Sequence, residues 1–460
     1  MSYSFDPDIF RYPRYSEEFD RDFCRASRDE ILHVQQTRLK AVLDYCWREM
    51  PFYRRLWEAS GVSPADIRHP DDIARFPTWD KEVQRAEIEA HPPFGSYYRD
   101  TDPANVAYLL SSGGTTGTPR IFPIMRDDLP GLQDIQARTM GFIGVKSSDI
   151  VQVTTHYSAL AGAWCGTWAV EGVGAALVPT GSGKAMPSMR QVDLIHRMGV
   201  TVLRSQASYA ERLAKTAREM GLDPAAMKVR TVITAGESYS QERRRRIEQE
   251  WNAKVYDFFG SSDTFNWSSV DCEHSQATLG AAGMHVWEDC CIIEVLDEQG
   301  RVCAPGEYGE MTITSLNWRN SPRIRYRTGD LVTVFTDRCG CGRNLVRMSS
   351  IIGRVDHVVR IRGVNIYPGA IDATISKADP AIREFYAVAS RVDGRDELRI
   401  VVEWPDLRDE TIADRVRRTV VTHLSLTPVV ELVPPGSTTT KTGIEGALNK
   451  PRRLFDERSG

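Results

Sequence analysis

The sequence predicts an α/β protein with a large N-terminal domain, containing mainly parallel sheets and a strand-rich subregion, and a small C-terminal α+β domain. Three observations carry this. From Val106 onward, short apolar runs alternate with Gly-rich turns and amphipathic stretches. Over 288–314 the pattern becomes strand, turn, strand. From Val355 it restarts as strand, helix, strand, strand, helix, enough for a compact unit of roughly 100 residues.

Taken in order, residues 1–100 read as helices rich in Arg, Glu and aromatic residues, followed by a Pro-punctuated stretch around Pro77. The segment 28–59 has helical periodicity, with Ile31, Leu32, Leu39, Val42, Leu43 and Trp47 on one side. Strands are expected at 150–153, 175–178, 200–203, 229–233 and 254–258, with helices at 189–198, 209–219 and 240–251 between them. Strand–helix alternation of this kind implies parallel pairing. Segments 292–296 and 309–314, around Asp297-Glu298-Gln299-Gly300, read as a hairpin region. The last part holds strands at 357–361, 387–390 and 397–403 and helices at 367–378 and 409–425. The boundary is placed near 353–356, giving domains 1–354 and 355–460. The Pro/Ser/Thr/Gly-rich stretch 434–443 reads as a mobile loop.

Composition narrows the function classes. The 460 residues are 41% apolar and 26% charged, as in a globular protein with a sizeable core. There is no run of 18 apolar residues, so no membrane span is expected. The start lacks a basic patch followed by an apolar stretch and does not read as a signal peptide. A net charge of −4 makes no case for nucleic acid. The four arginines 243–246 read as the solvated basic face of a helix. Nine cysteines read as free thiols of a reducing, cytoplasmic compartment.

The most informative segment is Ser111-Ser112-Gly113-Gly114-Thr115-Thr116-Gly117-Thr118-Pro119-Arg120, after a strand-like 106–110. It packs three glycines and five hydroxyls into ten residues. Glycine lets the backbone approach an anion closely, and exposed N–H and O–H groups can wrap phosphate oxygens. It lacks the GxxxxGK[ST] spacing of a Walker A loop. The core Gly114-Thr115-Thr116-Gly117-Thr118-Pro119 resembles the phosphate loop of the adenylate-forming superfamily, the acyl-CoA synthetases and their relatives. Further motifs follow in the family's order. Thr234-Ala235-Gly236-Glu237 resembles its nucleotide-contacting turn. Asp257-Phe258-Phe259-Gly260-Ser261-Ser262-Asp263 resembles the motif written YGxTE. Arg325-Tyr326-Arg327-Thr328-Gly329-Asp330 resembles its RYRTGD ribose motif. Gly353-Arg354-Val355-Asp356, with Ile361-Arg362-Gly363-Val364-Asn365-Ile366-Tyr367-Pro368, resembles the hinge of the phenylacetate-CoA ligase branch.

The resemblance implies ATP, Mg²⁺ and coenzyme A as cofactors and a small C-terminal domain that moves about a hinge near Asp356. Thr115 and Thr116, with Ser111, Ser112, Gly113, Gly114 and Gly117, would hold the phosphates. Phe259 stands where an aromatic ring stacks on adenine, and Ser262 where a hydroxyl meets the α-phosphate. Asp263 stands where the family usually has a Glu as Mg²⁺ ligand. Asp330 would accept both ribose hydroxyls, with Arg354 close by. The small domain would deliver a lysine. Asn449-Lys450-Pro451-Arg452-Arg453-Leu454-Phe455-Asp456 resembles the branch's ending, which assigns Lys450; Lys441, in Thr440-Lys441-Thr442-Gly443, is the rival.

Cys272-Glu273-His274 and Cys339-Gly340-Cys341-Gly342 offer three thiols and one imidazole, a donor set that closes a tetrahedral structural Zn²⁺ site. The branch resemblance implies a small aromatic acid as substrate, with His156, Tyr157, Trp164, Ala235, Gly236, Phe258, Asn266 and Trp267 as pocket candidates. The acyl acceptor stays open between coenzyme A, a carrier protein and an amine or other nitrogen nucleophile. A homodimer is compatible with the sequence, and a non-catalytic nucleotide-binding relative is the remaining alternative.

Overall fold

The computed structural model describes residues 8–111, 120–237, 239–263, 267–272, 274, 283–355, 358–392, 394–443 and 452–458, with the backbone alone at 267 and 268. Among the described residues, twenty strands order the chain. The first fourteen are β1 (Val106–Ser111), β2 (Ile121–Met125), β3 (Ile150–Val153), β4 (Ala176–Val178), β5 (Val202–Ser205), β6 (Thr231–Thr234), β7 (Lys254–Gly260), β8 (Trp267–Val270), β9 (Met284–Val286), β10 (Cys291–Leu296), β11 (Tyr308–Ser315), β12 (Tyr326–Phe335), β13 (Arg347–Met348) and β14 (Gly353–Arg354). The last six are β15 (Val359–Ile361), β16 (Val364–Ile366), β17 (Phe385–Val392), β18 (Arg395–Glu403), β19 (Val429–Val433) and β20 (Leu454–Asp456).

β3 to β14 form one sheet in the order β10-β11-β12-β13-β9-β8-β7-β6-β5-β3-β4, with β14 also paired to β12. The run β4-β3-β5-β6-β7 is parallel. Helices Ala161–Val173, Ser188–Met198, Ala207–Glu219 and Gln241–Trp251 make its crossovers, as parallel pairing requires. β5 and β6 are buried along their whole length, so their polar residues, Arg204, Ser205, Thr231 and Thr234, lie inside the fold with the apolar ones. From β7 to β10 the pairing is antiparallel. The strand-rich subregion thus extends the parallel sheet rather than forming a separate layer.

The periodic segment 28–59 divides into two helices, Arg28–Glu49 and Pro51–Ala59. Pro51 cannot continue the hydrogen-bond ladder and instead opens the second helix at its first turn. The first helix is closed by a Ser27–Glu30 capping box and docks on the sheet through Arg28, paired with Glu288 at 2.6 Å. The arginine run 243–246 departs from its sequence reading. Arg243 and Arg244 are only 3% and 4% exposed. They are paired with Glu211 and Asp271, each at 2.8 Å. Run composition shows charge density but not the acidic partners that topology brings to it.

β14 pairs with β12 of the large sheet, and Val359 is already in a second core. There β15 and β16 form a hairpin and β19-β18-β17-β20 a four-stranded sheet. Helices Pro368–Ala378 and Glu410–Leu424 cover it around Ile361, Ile371, Phe385, Ile400 and Val416. This second unit meets the first through Arg246, which donates to the Pro380 carbonyl at 2.7 Å, and through an Arg383–Glu250 pair at 3.3 Å. The stretch 434–443 is less loop-like than its composition implies. Glu403 accepts from the Thr438 and Gly436 backbone N–H groups at 2.7 and 2.8 Å, and Thr439–Thr442 form a helical turn.

Candidate active site

Four segments far apart in sequence meet along the first half of β12. The register Asp330↔Arg354 sets the β14 arginine beside the β12 carboxylate, and Arg354 Nη1 donates to Asp330 Oδ1 at 2.8 Å. Gly329 has φ +77°, and the Arg354 guanidinium lies against it, 3.0 Å from where a Cβ would stand. Asp330 is 8% exposed. Burial pushes its carboxyl up to about 6, against the opposing pull of Arg354 and with a further push from Asp263. Asp263, just beyond β7, accepts from Arg120 Nη1 at 2.6 Å and from the Tyr326 hydroxyl at 3.0 Å. Arg120 also donates to Tyr326 Oη at 3.0 Å and to Gln84 Oε1.

The sequence-derived residues thus fall into groups. Asp330, Arg354, Tyr326 and Asp263 are brought together. Ser111 ends β1 opposite Ile121, so this antiparallel pair flanks the phosphate-loop segment; Ser112, Gly113, Gly114, Thr115, Thr116 and Gly117 lie outside the described residues, as do Lys450 and Asp356. Ala235 and Gly236 follow β6 at the surface, with Gly236 at φ +73°. Ser261 and Ser262 follow the exposed Gly260 and are half-buried.

Four motif residues are engaged or buried within the protein. The Glu237 carboxylate accepts from Ser208 N and Oγ at 3.0 and 2.8 Å, so it caps the helix Ala207–Glu219. Asp257 is turned into the protein, where it accepts from Thr234 Oγ1 at 3.3 Å. Burial and the neighbouring Asp271 hold its carboxyl well above the usual range. Phe259 is 9% exposed and Phe258 5%, the latter under the Arg204 guanidinium. These motif positions shape the turn from within.

Among the candidates for an acyl pocket, Tyr157 and Trp164 stand edge-to-face with centroids 5.5 Å apart, and Tyr108 extends this aromatic wall at 5.6 Å from Trp164. His156 Nδ1 is 3.1 Å from Ser182 Oγ, and Tyr157 Oη is 2.9 Å from Thr167 Oγ1. Asn266 and the Trp267 side chain lie outside the described residues.

The other polar cluster is sulfur-rich. Cys272, His285, Cys339 and Cys341 place one donor atom each within 4.8 Å of one another. Cys272 and Cys339 sulfurs are 3.8 Å apart, and Cys341 Sγ is 3.4 Å from His285 Nε2. The histidine is a correction: His285, not His274, completes the set. β9 pairs with β8 and β13 and carries His285 inward, fully buried. His274 is exposed, with its ring over Gly340 so closely that no Cβ could stand there. Three thiols and one imidazole fit a closed tetrahedral site for Zn²⁺, with no position left open. Asp263, a hard oxygen donor already facing a cation, fits Mg²⁺.

Sequence reasoning also missed Arg120 as a site residue. Its signal was its place directly after the Gly/Thr loop. For His285 the signal was weaker, a lone histidine in the buried strand Met284–Val286.

A buried carboxylate paired with an arginine, with a second carboxylate and arginine beside it, fits a nucleotide-handling site on a two-unit α/β protein. The chain belongs to the AMP-binding enzyme family, whose signature matches residues 58–317, with the family's C-terminal domain matching 363–458. It is 28% identical to the phenylacetate-coenzyme A ligase of Thermus thermophilus over 453 residues, covering 94% of this chain and 97% of that one. Its structure superposes on crystal structures of 2-hydroxyisobutyryl-CoA ligase. For the postadenylation state with R3-HIB-AMP the TM-score is 0.86 at 29% identity, covering 99% of this chain and 96% of that one. For the thioesterification state with 2-HIB-AMP and CoA it is 0.71 at 30% identity, covering 100% and 97%. No helix among the described residues is long and apolar enough to cross a membrane.

Proposed function

We propose that the protein activates an aromatic carboxylic acid with ATP, releasing pyrophosphate and forming acyl-AMP, and then transfers the acyl group to the thiol of coenzyme A. The observation that carries this reading is the convergence of Asp330, Arg354 and Asp263 from three separate motifs around β12. A carboxylate is a poor acyl donor, because its charge is delocalised and its leaving group would be oxide. Attack of its oxygen on the α-phosphate of ATP turns that oxygen into part of a good leaving group. Negative charge gathers on phosphorus in the transition state, which calls for cations and N–H donors rather than a protein nucleophile.

In this reading Asp330 accepts the ribose hydroxyls and Arg354 orients it. Thr115, Thr116 and the loop glycines hold the β- and γ-phosphates. Asp263 would hold Mg²⁺, which neutralises phosphate charge when bound. Lys450, carried by the small domain about a hinge at Asp356, neutralises the carboxylate and the α-phosphate. Lys441 is the weaker candidate, since its ammonium pairs with Glu457 and lies 4.8 Å from the Phe455 ring centroid. The aromatic wall of Tyr108, Tyr157 and Trp164 supports an aromatic acid. Coenzyme A is favoured over a carrier protein because the relatives that match this chain over nearly the whole of both lengths are coenzyme A ligases. The Cys272–His285–Cys339–Cys341 set would hold a structural Zn²⁺. Nine cysteines, none of them in a disulfide, suit the cytoplasm.

The test is pyrophosphate release with a panel of benzoic and phenylacetic acids, with and without coenzyme A. Release with an aromatic acid, accelerated by coenzyme A, is expected. Release with short aliphatic acids alone would remove the aromatic assignment, and no release across a broad panel would remove the activity.

A further inference from the structure

The carboxylate assigned above to magnesium is already engaged. Asp263 Oδ1 takes Arg120 Nη1 at 2.6 Å and the Tyr326 hydroxyl at 3.0 Å, and Oδ2 takes Arg120 Nη2 at 3.4 Å. The guanidinium is itself boxed in by Gln84 Oε1 and Tyr326 Oη. Gln84 is fully buried on the helix Lys81–Ala90 and bonded to Tyr97 Oη at 3.2 Å. The pair is not sealed: its side chains are 12% and 15% exposed. By contrast, Arg138 and Asp289 form a pair at 2.8 Å with both side chains at 0%. Arg120 is therefore held in a defined pose at the edge of the site, one residue beyond the phosphate-loop segment.

We propose that Arg120 is the resting counter-ion of Asp263, exchanged for magnesium when the nucleotide arrives and turned onto the nucleotide's phosphate oxygens. The inference rests on the assignment of Asp263 as the magnesium ligand. Magnesium approaches carboxylate oxygens to about 2.0–2.1 Å in a demanding octahedral geometry. It cannot share Oδ1 with a guanidinium hydrogen-bonded to the same atom. Arginine cannot shed its charge by losing a proton. The guanidinium must move and take its charge to a new anion, and the anions that arrive with the metal are phosphates, which its planar fork fits in a bidentate manner. Tyr326 and Gln84 stay behind to hold the carboxylate and receive the arginine again. One cation is thereby traded for another, so Asp263 is not left as an unpaired carboxylate between turnovers.

The test uses the full-length protein with α,β-methylene-ATP, which cannot release pyrophosphate, and Mn²⁺ read by electron paramagnetic resonance. Arg120→Gln is expected to bind Mn²⁺ about tenfold more tightly, the effect of removing a competing charge-assisted contact. With Mn²⁺ saturating, it is expected to bind the analogue about tenfold more weakly, from the loss of the phosphate contact. A merely structural arginine would not produce the first change. Unchanged or weaker Mn²⁺ binding in Arg120→Gln overturns the exchange. Arg120→Lys keeps the charge without the fork, and thermal melting checks both variants for folding. The lysine variant is expected to keep native Mn²⁺ affinity and lose part of the analogue affinity; native affinity for the analogue would overturn the bidentate role. Asp263→Asn separates the two assignments: Mn²⁺ affinity unaffected by that change overturns the magnesium role itself, whatever Arg120 does.

Discussion

Two polar clusters draw on the same stretches of chain and differ in almost every physical respect. The β7–β8 connection carries Asp263, and nine residues later comes Cys272; β12 carries Asp330, and nine residues later comes Cys339. At one end lie hard oxygen donors paired with arginines and partly open, with Asp263 15% exposed at the side chain. At the other lie three thiols and His285, mutually within 4.8 Å, with His285 fully buried. The open end has donors to spare for a ligand. In the closed end, every donor faces another donor. The contrast suits turnover to the first and geometry to the second: a metal closing the thiol cluster would tie together the segments that follow Asp263 and Asp330 in the chain.

The largest expected effect is at the closed end. One equivalent of zinc is expected by elemental analysis of the purified protein. Cys339→Ser or Cys272→Ser should lower it below half an equivalent and cost more than about 4 kcal/mol of stability, as loss of a structural metal does. If His274→Ala loses the zinc and His285→Ala keeps it, the cluster is built otherwise than described. At the open end, Lys450→Ala should slow adenylate formation by about 10²–10³-fold, the scale of removing one preorganised charge donor. Its melting temperature should stay unchanged, which separates it from the cysteine variants. Lys441→Ala should change the rate by less than about twofold, because an exposed ion pair such as Lys441–Glu457 contributes little. The reverse order of the two lysines would relocate the catalytic tail.

How much of this was legible in the sequence divides along the same line. The open end was readable because its residues are contiguous in short motifs. Asp330 and Arg354 each stand in a recognisable string, and strand register does the rest. The closed end was readable for its thiols, which come in tight local pairs, but not for its histidine. His274 lies two residues from Cys272 and His285 thirteen, and only the pairing of β9 with β8 and β13 shows which faces the sulfurs. The orientations of Glu237 and Asp257, one bonded to Ser208 and the other to Thr234, were likewise not legible. Motif position says that a carboxylate is required near the nucleotide, not whether it faces outward. Arg243 and Arg244 were misjudged because their partners Glu211 and Asp271 are about 30 residues away in the chain and adjacent only after folding.

A smaller effect is expected at Asp330, where it tests the openness of the site most directly. Asp330→Asn should raise the KM for ATP by about 10- to 100-fold, the range for losing hydrogen bonds to a charged group. It should leave stability nearly unchanged or slightly improved, since burial already disfavours the ionised form. The pH dependence follows from the same cause. Burial raises the Asp330 carboxyl to about 6, above its ordinary value of 3.8. The folded protein therefore favours the protonated form, so this group stabilises the fold fully at pH below the ordinary carboxylate range and loses that contribution as pH rises through about 6. Ribose recognition runs the other way, because only the ionised carboxylate accepts from both hydroxyls. ATP affinity should fall as the pH is lowered through about 6, and the Asn variant should lack that step. A native protein whose ATP affinity is flat between about pH 5 and about pH 7 would place the ribose contact elsewhere and leave Asp330–Arg354 as a structural pair.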